Sequence, residues 1–276
     1  MSPSSTVSVS LRSAALSFGD RVLWDDLSLD IHQGEYFAIL GPNGSGKSTF
    51  LKTLLGLLPL SAGEVSVLGE GVRRGNPHIG YVPQQRAFSP ETPLRARDLV
   101  GLGLDGHRWG PGVFSRKRRA RVDELLERVG ATEYAAVPVG LLSGGEQQRL
   151  RVAQALASRP EVLLCDEALL SLDLRHQSAV SQLIEDYRRE SGATVIFVTH
   201  EINPIIDDVD RVLYLANGRF TVGSVDEVMS TETLSRVYDA PVTVMKIDGR
   251  YVVVGANAMS HASGDDCHAH DVEGEA

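Results

Sequence analysis

The chain has 276 residues, 42% of them hydrophobic, and a formal net charge of −9. That is enough for one large domain or two small ones with a core that needs no staples, and the acidic balance argues against a general nucleic-acid binder. Of the two cysteines, Cys165 sits in an apolar run and reads as a buried small hydrophobe, while Cys267 lies in a polar tail. Neither suggests a disulfide framework, so a reducing compartment is expected. No run approaches a membrane span, and Met1 to Ser10 has neither a basic region nor a long apolar stretch, so no secretion signal is expected. The protein is expected to be soluble or peripheral.

In chain order, Val7, Val9 and Leu11 alternate with polar residues as in a half-buried strand. Phe18-Gly19-Asp20-Arg21 is a turn, and Leu23 to Ile31 is a second strand. Together they predict an antiparallel β layer. Phe18 is either a core residue at a strand end or a flat surface on which a base could stack.

Tyr36 to Leu40 is a short apolar strand, and Phe50, Leu51, Leu54, Leu55 and Leu58 recur at helical spacing. Between them lies Gly41-Pro42-Asn43-Gly44-Ser45-Gly46-Lys47-Ser48-Thr49. Strand, glycine-rich turn, helix is the context a phosphate-binding loop needs. Its N–H groups can converge on one anion, aided by the positive end of the helix. Lys47 would reach the β- and γ-phosphates, and Ser48 would offer a hard oxygen to Mg²⁺.

Gly63 to Leu68 and Ile79 to Val82 are further strands, the second closed by Pro83-Gln84-Gln85. From Pro93 to Gly140 the composition changes. A connector rich in glycine (Gly101, Gly103, Gly106, Gly110, Gly112) leads to a helix over about Ser115 to Val129. Its basic run, Arg116 to Arg119 with Arg121, reads as the solvated first turn of an exposed helix in preference to a membrane or nucleic-acid patch.

Leu142-Ser143-Gly144-Gly145-Glu146 opens the next helix, with Ser143 and Glu146 spaced as a capping box. The two glycines leave a second bare helix end, another ready anion site. Val162 to Glu167 is a hydrophobic strand ending in two acids. Asp166 can hold the Mg²⁺ of a phosphate-loop site through water, and Glu167 can polarise the water that attacks a γ-phosphate. Ser171-Leu172-Asp173, a helix from about Leu174 to Glu190, and an apolar strand from Thr194 to Val198 follow, the last closing on Thr199-His200. His200 could sense the γ-phosphate. Strands joined by crossover helices imply a mostly parallel sheet with ligands at the strands' carboxyl ends.

The set resembles the nucleotide-binding subunit of ABC transporters over roughly residues 6 to 230. Five motifs stand in the family's order: Walker A (Gly41 to Thr49), Q-loop (Gln84), signature (Leu142 to Gln147), Walker B with its glutamate (Asp166, Glu167) and switch histidine (His200). The resemblance implies an α/β P-loop NTPase fold of the ABC type: a mostly parallel sheet, an antiparallel β subdomain, and a helical subdomain at about 93–158. It implies ATP and Mg²⁺ as ligands. Phe18 matches the adenine-stacking aromatic and Asp173 the D-loop. Walker A residues Gly41, Pro42, Asn43, Gly44, Ser45, Gly46, Lys47, Ser48 and Thr49 would hold the nucleotide with Ser143, Gly144 and Gly145 of a second copy. Ser48, Gln84 and Asp166 would face Mg²⁺; Glu167, His200 and Gln84 would serve hydrolysis.

The family's subunits work at the cytoplasmic face of the cell membrane, as a homodimer beneath permease subunits, which implies no nucleic-acid partner. Two departures occur: the signature reads LSGGE rather than LSGGQ, and Ala168 stands where the family usually has Pro.

After the cassette, Leu234 to Val242 reads as helix and turn, and Val244 to Val254 as a hairpin closed by Asp248-Gly249. This 231–256 extension is similar to the ending of the ATPase subunits of zinc and manganese importers, which implies an extracytoplasmic metal-binding protein as indirect partner. The 257–276 tail, expected to be disordered, carries His261, Cys267, His268 and His270 among acids, a set of metal-ligand types without defined site spacing. Other classes fit less well. A soluble ABC-type ATPase acting on DNA or ribosomes would need a coiled-coil insert or a second cassette, and a small-molecule kinase leaves Ser143 to Gly145 unexplained.

Overall fold

The computed structural model describes residues 6–84, 87–106, 115–170 and 172–255. Val7–Phe18 (β1) and Arg21–His32 (β2) pair antiparallel around the Gly19-Asp20 turn. Tyr36–Leu40 (β3) leads into Lys47–Leu54 (α1). Ala62–Val67 (β4) pairs antiparallel with β1 and with the short Glu70–Gly71 (β5), completing a sheet of order β2-β1-β4-β5. This is the expected β layer.

Ile79–Val82 (β6) is followed by Ala96–Asp105 (α2), Arg116–Arg128 (α3) and Gly144–Leu156 (α4). Then come Val162–Asp166 (β7), Leu174–Ser191 (α5), Thr194–Val198 (β8), Arg211–Ala216 (β9) and Arg219–Gly223 (β10). Val225–Val228 (α6), Thr231–Tyr238 (α7), Val242–Ile247 (β11) and Arg250–Gly255 (β12) close the described chain.

The second sheet has the order β10-β9-β3-β8-β7-β6, parallel except for the β9–β10 hairpin. All five residues of each of β3, β7 and β8 are buried, because layers cover the sheet on both faces. Side-chain alternation divides β3 between two cores. Phe37 and Ile39 pack with Leu11, Trp24 and Phe50 under the antiparallel layer, while Tyr36, Ala38 and Leu40 face the helices with Leu150, Ile184 and Phe197.

Two expectations need correction. Gly101, Gly103 and Asp105 lie in a helix, α2, not in a connector. The glycines are there for packing: a Cβ at Gly103 would stand 2.0 Å from the Gln154 carbonyl oxygen, and one at Gly101 would strike the Arg118 guanidinium. Small residues let α2 lie directly on α4. The first helix ends at Leu54, so Leu58 falls beyond it, after a left-handed Gly56. β6 belongs to the parallel sheet, as its edge beside β7. β9 and β10 add a hairpin to the sheet: Val212 to Leu215 is an apolar run followed by the turn Asn217-Gly218, both turn residues having positive φ.

The C-terminal helix and hairpin form as expected and dock on the cassette. The Tyr214 and Tyr238 hydroxyls stand 2.8 Å apart, and Asn203 exchanges side-chain hydrogen bonds with the backbone of Tyr251. The 257–276 tail lies outside the described residues.

Candidate active site

The glycine-rich loop leaves β3 at Gly41, where φ is 144° and a Cβ would stand 2.0 Å from the Leu215 carbonyl oxygen, so no side chain fits. Gly46, at φ 101°, caps α1 without any side-chain hydrogen bond, which leaves the first amides of α1 free. Arg21 donates to the Gly44 carbonyl at 2.7 Å and ties the loop to the β layer. The Ser45 hydroxyl is buried in the loop without a hydrogen-bond partner. Lys47 is 5% exposed, and its Nζ donates to the carbonyls of Gly41 (2.7 Å) and Pro42 (3.0 Å). Burial pushes its ammonium below the usual lysine range, partly offset by the carboxylates of Glu167 and Asp166.

Asp166 ends β7 beside this loop. Its Oδ1 accepts from Ser48 Oγ at 2.8 Å and its Oδ2 from the Tyr81 hydroxyl at 3.3 Å. Burial, then the charge of Asp166, pushes the Tyr81 phenol up to about 12. Glu167, the next residue, takes a left-handed backbone at φ 46°. In a residue other than glycine this costs about 1–3 kcal/mol and persists only where the surroundings over-determine it. Here the Glu167 N–H donates to the Val198 carbonyl at 2.9 Å, and Ala168 is fully buried.

The turn brings the Glu167 carboxylate to two residues distant in sequence. Gln84 Nε2 donates to Glu167 Oε2 at 3.0 Å, and His200 Nδ1 stands 3.9 Å from Oε1. A cleft of about 430 Å³ opens over Lys47, Ser48, Thr49, Gln84, Glu167 and His200, with Asn43, Gly44 and Gly46 in its rim.

Ser143, Gly144 and Gly145 are not among the residues lining this cleft. They open α4, where the capping box is present. Ser143 Oγ accepts from the Glu146 N–H at 3.3 Å, and Glu146 Oε2 accepts from both the Ser143 N–H and its hydroxyl at 2.8 Å. Glu146 is the returning half of the cap, a place that Glu and Gln can both fill, so the departure from LSGGQ leaves the helix start intact. Asp173 is turned on its own helix: its Oδ1 accepts from the His176 N–H at 2.9 Å and its Oδ2 stands 2.8 Å from His176 Nδ1. These bonds hold the Asp173 carboxyl below the usual range. Phe18, 52% exposed, is at the end of β1, away from the cleft lining.

Three residues here were not singled out from sequence. Arg21 and Tyr81 reveal themselves only through tertiary contacts. His176 lies against the signature, so close that a Cβ on Gly145 would stand 2.2 Å from its ring. A helix-cap pattern, Asp173 followed three residues on by His176, is the one local sign of it.

Residues 24–170 match the model of the ABC transporter family. The chain belongs to that family. It is 32% identical to the manganese transport system ATP-binding protein of Bacillus subtilis (strain 168), covering 86% of this chain and 95% of that protein. It is 34% identical to the iron(3+)-hydroxamate import ATP-binding protein of the same strain, over 84% and 87% of the two chains. Against the zinc import ATP-binding protein of Yersinia pestis bv. Antiqua (strain Antiqua), identity is 36% over 81% of each. Among solved structures, an inward-facing ABC transporter assigned to the metal-chelate type superposes with a TM-score of 0.77 at 25% identity, over 92% of this chain and 99% of that one.

As an ABC transporter ATP-binding subunit the chain is an ATPase. Among the described residues no helix is long and apolar enough to cross a membrane, and no group of three metal-ligating side chains gathers. His261, Cys267, His268 and His270 lie outside the described residues.

Proposed function

We propose that this ABC ATPase powers import of a divalent transition metal, manganese or zinc, through a membrane permease. It would act as a homodimer held at the cytoplasmic membrane face by permease subunits, with an extracytoplasmic metal-binding protein delivering the cargo. The observation that carries the reading is the divided site. Lys47, Ser48, Gln84, Glu167 and His200 share one cleft, while Ser143, Gly144 and Gly145 stand elsewhere on the same chain. A second copy, head to tail, would bring its signature over the first copy's nucleotide, with Phe18 stacking on adenine and Asp173 at the seam.

In this reading the α1 amides and Lys47 hold the β- and γ-phosphates. Glu167 accepts a proton from the attacking water, oriented by the Gln84 amide at one carboxylate oxygen and His200 near the other. The strained backbone at Glu167 aims that carboxylate. The donor set around Asp166 suits Mg²⁺: the Ser48 hydroxyl, a carboxylate, and the Gln84 amide oxygen, left free because its nitrogen faces Glu167. Bound there, Mg²⁺ supplies charge neutralisation to the phosphates.

The metal assignment is supported by the manganese and zinc transport relatives and by the C-terminal helix and hairpin. The iron(3+)-hydroxamate relative favours one second reading, a metal chelate as cargo.

Two measurements test this. Glu167→Gln should lower turnover by about 10²–10⁴-fold and leave an ATP-bound dimer that persists in size-exclusion chromatography; a monomer under saturating Mg-ATP overturns the divided site. A deletion strain should lose cell-associated manganese or zinc. Unchanged levels of both, with a fall in chelated-iron uptake, would move the cargo to the second reading.

A further inference from the structure

At the N-terminal ends of α2 and α3 is a recess of about 390 Å³ that shares no lining residue with the Lys47 cleft. Five arginines line it: Arg95, Arg97, Arg116, Arg118 and Arg119. Two are committed. Arg97 pairs with Asp123 at 2.6 Å, and Arg118 reaches across to α2 to grip Asp105 with both Nε (2.6 Å) and Nη2 (3.2 Å). Arg95, Arg116 and Arg119 have no side-chain partner among the described residues, and Asp98 is the one carboxylate lining the recess.

The local charge runs against both the chain and the helix. The protein as a whole carries −9, yet three unpaired guanidinium groups share one concavity. Helix α3 has no acidic residue in its first turn. Instead Arg-Lys-Arg-Arg stands at its positive end, where the helix dipole repels cations. Arg116 and Arg119, three residues apart on one face, also repel each other. A bound anion would offset both penalties. The Ser115 hydroxyl caps only the Arg118 N–H, so the amides of Arg116 and Lys117 remain to receive it. Guanidinium forks match the paired oxygens of a phosphate group and gain strength from its charge.

We propose that this recess is a second anion site, taking a phosphate group of multiple charge through Arg95, Arg116 and Arg119. The phosphate can come from an anionic lipid headgroup or from a soluble phosphate, and one experiment separates the two. The full-length protein, with Mg-ADP saturating the Lys47 cleft, is compared with the triple variant Arg95→Ser/Arg116→Ser/Arg119→Ser. One arm is cosedimentation with phosphatidic acid–phosphatidylcholine vesicles, whose phosphomonoester headgroup carries more than one charge, and the other is calorimetric titration with pyrophosphate.

The wild type should bind in at least one arm, at least tenfold more tightly than the triple variant, and more weakly as salt rises. Vesicle binding alone assigns the lipid source; pyrophosphate binding alone assigns the soluble one. Because the three side chains are outside the nucleotide cleft, the variant should keep wild-type basal ATPase activity and thermal midpoint. The single variant Arg119→Ser, in the same assay, should give a partial loss. The proposal is overturned if the wild type binds neither probe, or if the triple variant binds as the wild type does.

Discussion

Two helix N-termini in this protein, those of α1 and α4, are the ends we propose to share one nucleotide between two copies, and they are built in opposite ways. Helix α1 begins at Gly46 with no side-chain cap, a buried Ser45 hydroxyl without a partner, and Lys47 parked on loop carbonyls. Helix α4 begins with a complete capping box in which Ser143 and Glu146 satisfy each other. The first end is thus left poised for an anion by its own chain. The second is already satisfied in part, and keeps only the Gly144 and Gly145 amides for another molecule. The contrast fits a nucleotide held first at α1 and clasped afterwards by α4 of a partner, with the box keeping α4 stable between encounters.

The largest expected break in this contrast is at the open end. Lys47→Ala removes one charge-assisted contact worth about 1.5–3 kcal/mol, so ATP affinity should fall by about 10–100-fold in equilibrium titration; unchanged affinity would contradict its place at the phosphates. At the capped end, Ser143→Ala should cost about 1 kcal/mol of stability, read as a lower midpoint in urea. It should leave monomer ATP affinity intact while reducing ATP-driven dimer formation. Should affinity fall as far as for Lys47→Ala, the two ends would not be divided between copies. Glu146→Gln keeps the acceptor facing the Ser143 amide, so its stability change should stay within about 0.5 kcal/mol and ATPase activity should be retained. Smallest of all, deleting residues 257–276 should leave ATPase activity largely intact; a large loss would make the tail regulatory.

Local chemistry made much of this legible. A glycine-rich turn between an apolar strand and a helix, or a Ser-x-x-Glu helix start, is specified by neighbours in the chain, so Gly41 to Thr49 and the α4 cap could be read directly. The antiparallel layer, the buried strands β3, β7 and β8, and the C-terminal hairpin also declared themselves by period and turn residues. Composition taken alone misleads. The glycines of α2 suggest a connector because glycine is a poor helix former, whereas Gly103 allows the close approach of α2 to α4 and Gly101 makes room for Arg118 of α3.

By itself, then, the sequence determined the family, the ATPase class and the strand–turn–helix context of Gly41 to Thr49, because those reside in short spacings. Tertiary structure decided which loops meet. Gln84 and Glu167, 83 residues apart, become hydrogen-bonded neighbours only because β6 and β7 lie side by side in the parallel sheet. His200 joins them because β8 is the next strand. Tyr81 on Asp166, Arg21 on the loop, His176 against Gly145, and the arginine recess likewise follow from packing between segments far apart in the chain, which no local period encodes.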